Sequence, residues 1–168
     1  KNHARLIEAV GLLPADPDFC LELVGDGPLK AELVHQTEAA GLQEHVRFPG
    51  ALAEPAEALR RWDAFIFMPS PEEGFGISAA EAMAAGLPVA APDVGDIRSM
   101  VAEENRPFIA VPDDADALAA MLSELAGDPP LRARIGAANR ARARAHYDAA
   151  QMIAHYRAAY AAAIGRPF

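Results

Sequence analysis

The sequence is poor in cysteine and lysine and contains no long hydrophobic run. Its single cysteine, Cys20, has no second cysteine for a disulfide or a thiolate metal cluster, which is typical of a reducing compartment. Because Cys20 lies in the apolar run 19–24, we expect it to be a small buried hydrophobic side chain. No stretch approaches the roughly 20 apolar residues that a membrane helix needs. Since no export signal precedes the first helical pattern, we expect a soluble, cytoplasmic domain.

The charge balance argues against a nucleic-acid partner. The formal net charge is −9 and the isoelectric point is near 4.9, so a duplex would meet an acidic surface. An anionic ligand would have to be held by locally placed donors. The 168 residues, 52% of them hydrophobic, suffice for one packed core and not for two. We therefore interpret residues 1–168 as a single domain.

Helical and extended patterns alternate over the first two thirds of the chain. Strand patterns occur at 19–24, 45–48, 64–68, 88–91 and 108–111, and most of them are separated by helical patterns. Parallel pairing requires such connections, so the sequence predicts a Rossmann-like, doubly wound parallel sheet in three αβα layers. From Asp114 onward the pattern is helical, with breaks at 127–129 and 147–148.

The segment 69–89 carries most of the chemistry that the residues suggest. It joins a buried strand to a helix through Gly74 and Gly76. In an open parallel sheet ligands bind at the carboxyl ends of the strands, and the first N–H groups of a helix attract an anion such as a diphosphate. A phosphate would repel Glu81, so its expected partner is a neutral donor pair such as a ribose diol. Glu73 is placed to accept hydrogen bonds from sugar hydroxyls.

The same residues have a purely structural interpretation. Ser78-x-x-Glu81 has the spacing of a capping box, and a glycine-rich turn between strand and helix occurs in many folds that bind nothing there. The spacing alone does not choose between a binding site and a capped helix.

A longer pattern does distinguish them. Glu73-Gly74-Phe75-Gly76, the run Glu81-Ala82-Met83-Ala84 and Gly86-x-Pro88-Val89 together resemble the E-x7-E signature of glycosyltransferase family 4, whose members have the GT-B fold of two facing Rossmann-like domains. Val24-Gly25-Asp26-Gly27-Pro28, Val46-x-Phe48-x-Gly50 and Met68-Pro69-Ser70 are similar to the family's strand ends near the donor, and the terminal helices are similar as well. The resemblance covers essentially the whole chain and identifies it with the carboxy-terminal, donor-binding domain.

The resemblance implies a role for each matched residue. Glu81 would bind the nucleotide ribose and Glu73 the transferred sugar, while Lys1 at the start of the first helix would reach the diphosphate. The implied catalytic residues are Lys1 and Glu73. The implied donor-binding residues are Gly25, Val46, Phe48, Gly74, Phe75, Gly76, Ile77, Ser78 and Glu81.

The chain also departs from the family's pattern. The family's first strand of this domain would precede Lys1, and the amino-terminal domain with the acceptor site is absent as well. Where many members have Gly-Gly-Ile-Pro-Glu, this chain has Val94-Gly95-Asp96-Ile97-Arg98-Ser99. The usual contacts of that loop are therefore not carried over.

We predict no metal and no cofactor beyond the nucleotide-sugar substrate. Asp114-Ala115-Asp116 has D-x-D spacing, but it stands immediately before a helix, where aspartate is the expected cap. The five histidines show no zinc spacing. Arginines at 132, 134, 140, 142 and 144 form a basic face that we expect to be solvated; the alternative is peripheral contact with the inner face of a membrane by the intact enzyme.

The resemblance implies a retaining hexosyltransferase that uses a nucleoside diphosphate sugar and a glycan or lipid-linked acceptor, in polysaccharide biosynthesis. Two alternatives remain open. One is a nucleotide-sugar-binding module without activity of its own, which we favour for this chain in isolation; the other is a fragment of a sugar-nucleotide epimerase with the same architecture. Base, sugar, acceptor and oligomeric state are not determined by these residues.

Overall fold

A computed structural model of the chain describes residues 2–13, 19–69 and 74–165. The helices are α1 (His3–Gly11), α2 (Lys30–Ala39), α3 (Pro55–Arg61), α4 (Ile77–Ala85), α5 (Ile97–Met100), α6 (Ala115–Gly127), α7 (Pro129–His146) and α8 (Ala149–Ile164), with a 3-10 helix at Glu103–Phe108. The strands are β1 (Leu21–Val24), β2 (Val46–Gly50), β3 (Phe65–Ile66), β4 (Val89–Pro92) and β5 (Ile109–Ala110). The predicted order of five strands separated mostly by helices is confirmed.

All strand pairs that the structure describes are parallel, and they form two sheets. β1 pairs with β2, while β3, β4 and β5 form a second sheet in that order. The third strand is short, but its ladder continues past it, because the amide of Phe67 donates to the carbonyl of Ala90 at 2.9 Å. The doubly wound α/β class predicted from the sequence is confirmed.

The central strand β4 separates two hydrophobic cores. Val89 and Ala91 point into one core, together with Met83 of α4 and Ile97 of α5. Ala90 points into the other, which also contains buried side chains of α1 and α6. Successive side chains of a strand alternate between its faces, so helices cover both sides of this sheet in the three-layer arrangement.

Local signals place the helix boundaries close to those predicted. Gly86 adopts a left-handed conformation at φ 87° and ends α4. Asp114 caps α6 by accepting from the amide of Ala117 at 2.8 Å, and Asp128 caps α7 through the amide of Leu131 at 2.8 Å. The capping role predicted for Asp114 is therefore confirmed.

The C-terminal helix α8 has no buried residue. Four of its exposed apolar side chains recur at every fourth position, and a fifth, Ile153, lies beside the first: Met152, Ile153, Tyr156, Tyr160 and Ile164. No helix among residues 2–13, 19–69 and 74–165 is long and apolar enough to cross a membrane.

The prediction that Cys20 is buried is wrong. Its thiol is exposed because the strand begins one residue later, at Leu21, and Cys20 lines an open groove beside that strand. The apolar run around it marked a strand correctly but did not show that one side of this strand lacks a neighbour among the described residues.

Candidate functional site

The site is built around the amino end of α4, where the polypeptide leaves β3 and enters a helix. Gly76 occupies the N-cap position at φ 74°, and no side chain among the described residues caps this end of the helix. The capping-box interpretation of Ser78 and Glu81 is wrong, because the helix begins at Ile77 and Ser78 lies inside it. The first amides of α4 are thus not capped by a side chain, which is the arrangement that helices use to bind anions.

Glycine is required at residue 76 for two reasons. Its positive φ disfavours any side chain, and a Cβ there would lie 2.8 Å from Cζ of Phe67. The ring of Phe67 is buried and lies directly beneath this turn. At Gly74 a Cβ would meet nothing within 4 Å. Of the two glycines in this turn, only Gly76 is in close contact with the chain at the end of β3.

Two exposed apolar side chains flank this turn. Phe75 is 45% exposed and Ile77 is 70% exposed, although both are large hydrophobic residues. Their neighbours in α4, Ala79, Ala82 and Met83, are buried. The amino end of the helix thus presents its backbone and apolar side chains outward while the rest of the helix packs inward.

Ser78 and Glu81 lie one turn apart on α4 and line the same groove as Val24. This groove has a volume of about 820 Å³ and runs between β1 and β3. It connects the carboxylate of Glu81 to the carboxyl end of β1, next to Gly25. The structure therefore places Ser78 and Glu81 along one groove with Val24, the residue before Gly25.

A network around Asp26 holds the carboxyl ends of β1 and β2 together. The amide of Gly25 donates to the carbonyl of Gly50 at 2.8 Å. Asp26 accepts from Nζ of Lys30 at 2.8 Å and from the amide of Ala51 at 3.2 Å. The hydrogen bond from Lys30, then that from Ala51, and then the charge of Lys30 lower the pKa of the Asp26 carboxyl below its usual value.

Two predicted donor-binding residues lie elsewhere in this sheet. Val46 is buried at the amino end of β2, where it pairs with Leu21, and Val24 meets Gly50 at the carboxyl end. The groove follows β1 over its whole length, from Leu21 to Val24. Four residues of strand, about 13 Å, separate Val46 from the carboxyl end of β2. Phe48 is half-buried and packs against the core. Neither side chain lines the groove.

Asp26 and Ala51 lie at the carboxyl edge of this sheet, and the sequence analysis did not single out either residue. The motif Val46-x-Phe48-x-Gly50 located the strand correctly, but only its last residue reaches the edge where ligands bind. Counting the strand to its carboxyl end would have pointed to Gly50 and the residue after it.

A second cavity lies at the carboxyl ends of the other three strands. It has a volume of about 330 Å³ and is lined by Pro69, Pro92 and Val111 from the strand ends and by Asn2 and Arg5 from the start of α1. The amino end of α1 therefore lies at the same edge of the sheet as the end of β3, from which the glycine turn departs.

The predicted catalytic residues, Lys1 and Glu73, lie outside the described residues. Within the described ranges no three histidine, cysteine, aspartate or glutamate side chains come together in a group that would hold a metal ion. What the structure does assemble is an uncapped helix start, a carboxylate one turn further along it, and the two glycine turns at the ends of β1 and β2.

Parallel strands with helices on both faces, and a glycine turn leading into an uncapped helix at their carboxyl edge, define the doubly wound α/β class, whose members bind ligands at that edge. The sequence profile of the glycosyl transferases group 1 family matches residues 1–142. The chain belongs to this family, and its fold is that of the carboxy-terminal domain of a GT-B glycosyltransferase.

The chain is similar in sequence to several glycosyltransferases. The chain is 33% identical over 162 residues to 2-deoxystreptamine glucosyltransferase of Streptomyces kanamyceticus, covering 93% of this chain and 42% of that protein. It is 38% identical over 152 residues to phosphatidyl-myo-inositol mannosyltransferase of Mycolicibacterium smegmatis, covering 88% and 38%. Anabaena HepE, solved in complex with UDP-glucose, superimposes with a TM-score of 0.82 at 28% identity over 93% of this chain and 44% of that one. This chain thus spans about two fifths of these proteins.

Proposed function

We propose that this chain is the donor-binding domain of a retaining hexosyltransferase, which moves a hexose from a nucleoside diphosphate sugar to an acceptor hydroxyl. The observation that carries the proposal is that Ser78 and Glu81, just inside the uncapped start of α4, line one groove with the carboxyl end of β1. The HepE structure was solved with UDP-glucose, which is a donor of this kind.

The chemistry we propose is stabilisation of the leaving group. The amides at Phe75, Gly76 and Ile77 would bind the distal phosphate, since N–H groups at a helix start carry partial positive charge. They would stabilise the charge that grows on the diphosphate as the glycosidic bond breaks. Lys1 would add a cation at the start of α1, and no metal ion takes part. Retention of configuration is part of the proposal and follows the family resemblance.

The side chains of Glu81 and Glu73 would recognise the ribose and the sugar of the donor. Glu81 lies deeper in α4 than the amides, so its carboxylate is directed to ribose hydroxyls rather than to phosphate. Glu73 would contact the transferred sugar. Turns at Gly25 and Gly50 end the two paired strands at this edge of the sheet, and we propose that the base lies near them.

We further propose that the acceptor is a glycan or a lipid-linked sugar and is bound by another part of the same protein. This chain spans only 42% of the glucosyltransferase and 38% of the mannosyltransferase it resembles, which leaves room for a second domain. A cytoplasmic location, a role in polysaccharide biosynthesis and peripheral contact with the inner face of a membrane belong to the same proposal for the whole protein.

The groove between β1 and β3 supports the idea that this sheet is completed by another strand. Both strands run parallel to their own partners, both line the groove, and no pairing joins them among the described residues. A strand placed before α1 would reach β1 by one helical crossover, the connection that parallel strands use. We propose that a segment of the same protein forms this strand. It would fill most of the groove between β1 and β3 and leave only the part beside Glu81 open as a cleft.

Calorimetric titration of the full-length protein with UDP, GDP and ADP, and with their glucose or mannose conjugates, tests the donor proposal. We expect saturable binding of one base series, unchanged by EDTA. Glu81→Ala should weaken binding by about 10-fold or more, since it removes charge-assisted hydrogen bonds worth about 1.5–3 kcal/mol. The control is Glu38→Ala, an exposed glutamate on α2 that does not line the groove; it should leave affinity unchanged.

The second candidate function is a module that binds the nucleotide sugar without transferring it. The observation that favours it is that Ser78 and Glu81 line one groove with the end of β1, whereas the acceptor would need a surface supplied by the rest of the protein. Slow hydrolysis or transfer of the bound sugar by the 168-residue chain alone would exclude this candidate. Binding without turnover by the chain, together with turnover by the full-length protein, would support the donor-domain proposal.

A further inference from the structure

Helix α7 runs antiparallel along α4 and holds it near both ends. Gly136 of α7 contacts the carbonyl of Gly86 at the carboxyl end of α4. At the other end, Tyr147 follows α7 and its ring contacts the ring of Phe75. Tyr147 lies 11 residues after Gly136, and Phe75 lies 11 residues before Gly86. The two segments therefore match in length and direction.

The contact between Phe75 and Tyr147 is an edge-to-face aromatic pair. The ring centroids are 5.4 Å apart and the planes are inclined by 74°, which is a favoured geometry for such rings. The ring of Tyr147 is half-buried, whereas that of Phe75 is 45% exposed. Tyr147 is thus the better-packed partner and restricts the motion of a side chain that otherwise faces solvent.

Tyr147 is itself fixed by a carbonyl at the end of α5. Its hydroxyl donates to the carbonyl of Met100 at 3.1 Å, and Nε of Arg142 donates to the same oxygen at 2.8 Å. Its amide donates to the carbonyl of Ala143 at 2.8 Å, as the last hydrogen bond of α7. The position of the ring is therefore set by two helices and not by a loop.

The turn before α4 is held at three consecutive residues by three different elements. The amide of Asp96 approaches the carbonyl of Gly74 at 3.4 Å, the ring of Tyr147 contacts Phe75, and the ring of Phe67 lies under Gly76. The Gly74 carbonyl and the Phe75 amide share one peptide, which the Asp96 amide holds, and the contact with Tyr147 restrains the side chain of Phe75 between that peptide and α4. A phosphate site made of amides depends on such restraint, because its donors must be aligned before the ligand arrives.

We infer that Tyr147 is a positioning residue for the donor diphosphate, holding the amides at Phe75, Gly76 and Ile77 in place through its contact with the ring of Phe75. This inference rests on the proposed donor function. It assigns a role in substrate binding to a residue that lies 66 positions beyond Glu81 in the chain and touches no substrate.

The test compares binding of a nucleoside diphosphate with binding of the matching nucleoside to the full-length protein, using the base that the titrations above identify. Tyr147→Ala should weaken binding of the diphosphate by about 3- to 10-fold, which corresponds to the free energy of one aromatic pair, and should leave the affinity for the nucleoside within twofold of its original value. Tyr147→Phe keeps the ring and its contact with Phe75 but loses the hydrogen bond to Met100, so it should bind the diphosphate more tightly than Tyr147→Ala does and the nucleoside as the unmodified protein does.

Phe75→Ala provides a second variant that removes an exposed side chain and does not threaten folding. It should give the same selective loss, and the double variant Phe75→Ala/Tyr147→Ala should bind no more weakly than either single variant, because both remove one contact. Additive losses would overturn the inference.

The outcomes separate the inference from the proposed function. If the unmodified protein binds no nucleoside diphosphate, the donor proposal fails and this inference fails with it. If it binds, but Tyr147→Ala binds the diphosphate equally well, only the positioning role is overturned. Equal losses for diphosphate and nucleoside would show that Tyr147 merely supports the fold, and would overturn the positioning role too.

Discussion

Gly136 on α7 touches the carbonyl oxygen of Gly86 so closely that a Cβ added at residue 136 would lie 2.0 Å from it. The carbonyl oxygen belongs to the backbone and the added Cβ is bonded directly to a backbone atom, so no side-chain rotation can separate the two atoms. Gly136→Ala should therefore push α7 off α4 and lower the free energy of unfolding by about 3 kcal/mol, the upper part of the range for overpacked cores. Urea denaturation followed by circular dichroism measures this change.

Gly127→Ala is the matched control for that variant. Gly127 ends α6, and a Cβ there would meet nothing within 4 Å. The same substitution should be neutral or slightly stabilising, since alanine limits the unfolded chain more than glycine does. Equal midpoints for the two variants would show that α7 does not pack on α4 as the structure describes.

Asn139 and Asn105 form a buried polar network that joins α7 to β4. The side-chain amide of Asn139 donates to the carbonyl of Leu87 at 2.9 Å and to Oδ1 of Asn105 at 2.7 Å, and its own Oδ1 accepts from the amide of Ala102 at 3.0 Å. Both asparagines are 0% exposed. Asn139→Ala leaves buried backbone groups without partners, so we expect a loss of about 2–4 kcal/mol in unfolding free energy.

Chemical denaturation checks this prediction, with Asn2→Ala as the control. Asn2 is exposed, and its single described hydrogen bond, to Asp113 at 3.3 Å, lies at the surface. Its removal should change the midpoint little. A loss below about 1 kcal/mol for Asn139→Ala would contradict the network.

The two glycines of the donor turn should respond differently to alanine. Gly76→Ala introduces a side chain at φ 74° and 2.8 Å from the ring of Phe67, so it should destabilise the protein by about 1–3 kcal/mol. It should also weaken diphosphate binding by displacing the amides of α4. Gly74→Ala meets no neighbour within 4 Å and should leave stability unchanged. Thermal melting with and without the nucleoside diphosphate separates the two effects.

Asp26 gives a pH dependence whose sign is fixed by its lowered pKa. The hydrogen bond from Lys30 is the largest cause of that shift. A carboxyl with a depressed pKa in the folded state stabilises the protein above its unfolded pKa, near 3.8, and loses that contribution as pH falls through the folded pKa. At neutral pH the unmodified protein should therefore have a higher melting temperature than the Asp26→Asn variant, and the difference in melting temperature should shrink only below about pH 3.8.

Melting curves between pH 3 and pH 7 measure this difference directly. Glu38→Gln serves as the control, because no hydrogen bond or ion pair of its side chain is described. A difference that grows on acidification would contradict the ion pair between Asp26 and Lys30.

Much of the fold was predictable because local chemistry decides it. Short extended patterns marked the strands, and Gly86 and Asp114 marked helix ends. The breaks around Asp128 and Tyr147 divided the C-terminal helices where the structure divides them. These signals depend on backbone conformation and hydrogen bonds within a few residues. The burial of Cys20 could not be predicted in this way, since it depends on what lies beside β1.

The site was predictable only in part. The glycine turn and Glu81 were found because a strand, two glycines and a helix follow one another in the sequence. Val46 lies at the amino end of β2, away from the edge where parallel sheets bind ligands, and its contact with the base stays a prediction, because a strand motif does not show which of its residues reaches that edge. Asp26 was missed because its partners, Lys30 and Ala51, come together only when β1 and β2 pair.

The sequence by itself determined the family, the order of helices and strands, and the glycine turn that precedes α4, because these depend on patterns within continuous segments. Only the tertiary structure decided which amides are left uncapped, that Glu81 shares a groove with the end of β1, and that Tyr147 reaches Phe75. Tyr147 and Phe75 are 72 residues apart in the chain. Their contact exists because α7 packs antiparallel on α4, and close packing between helices follows from complementary surfaces that no single segment encodes.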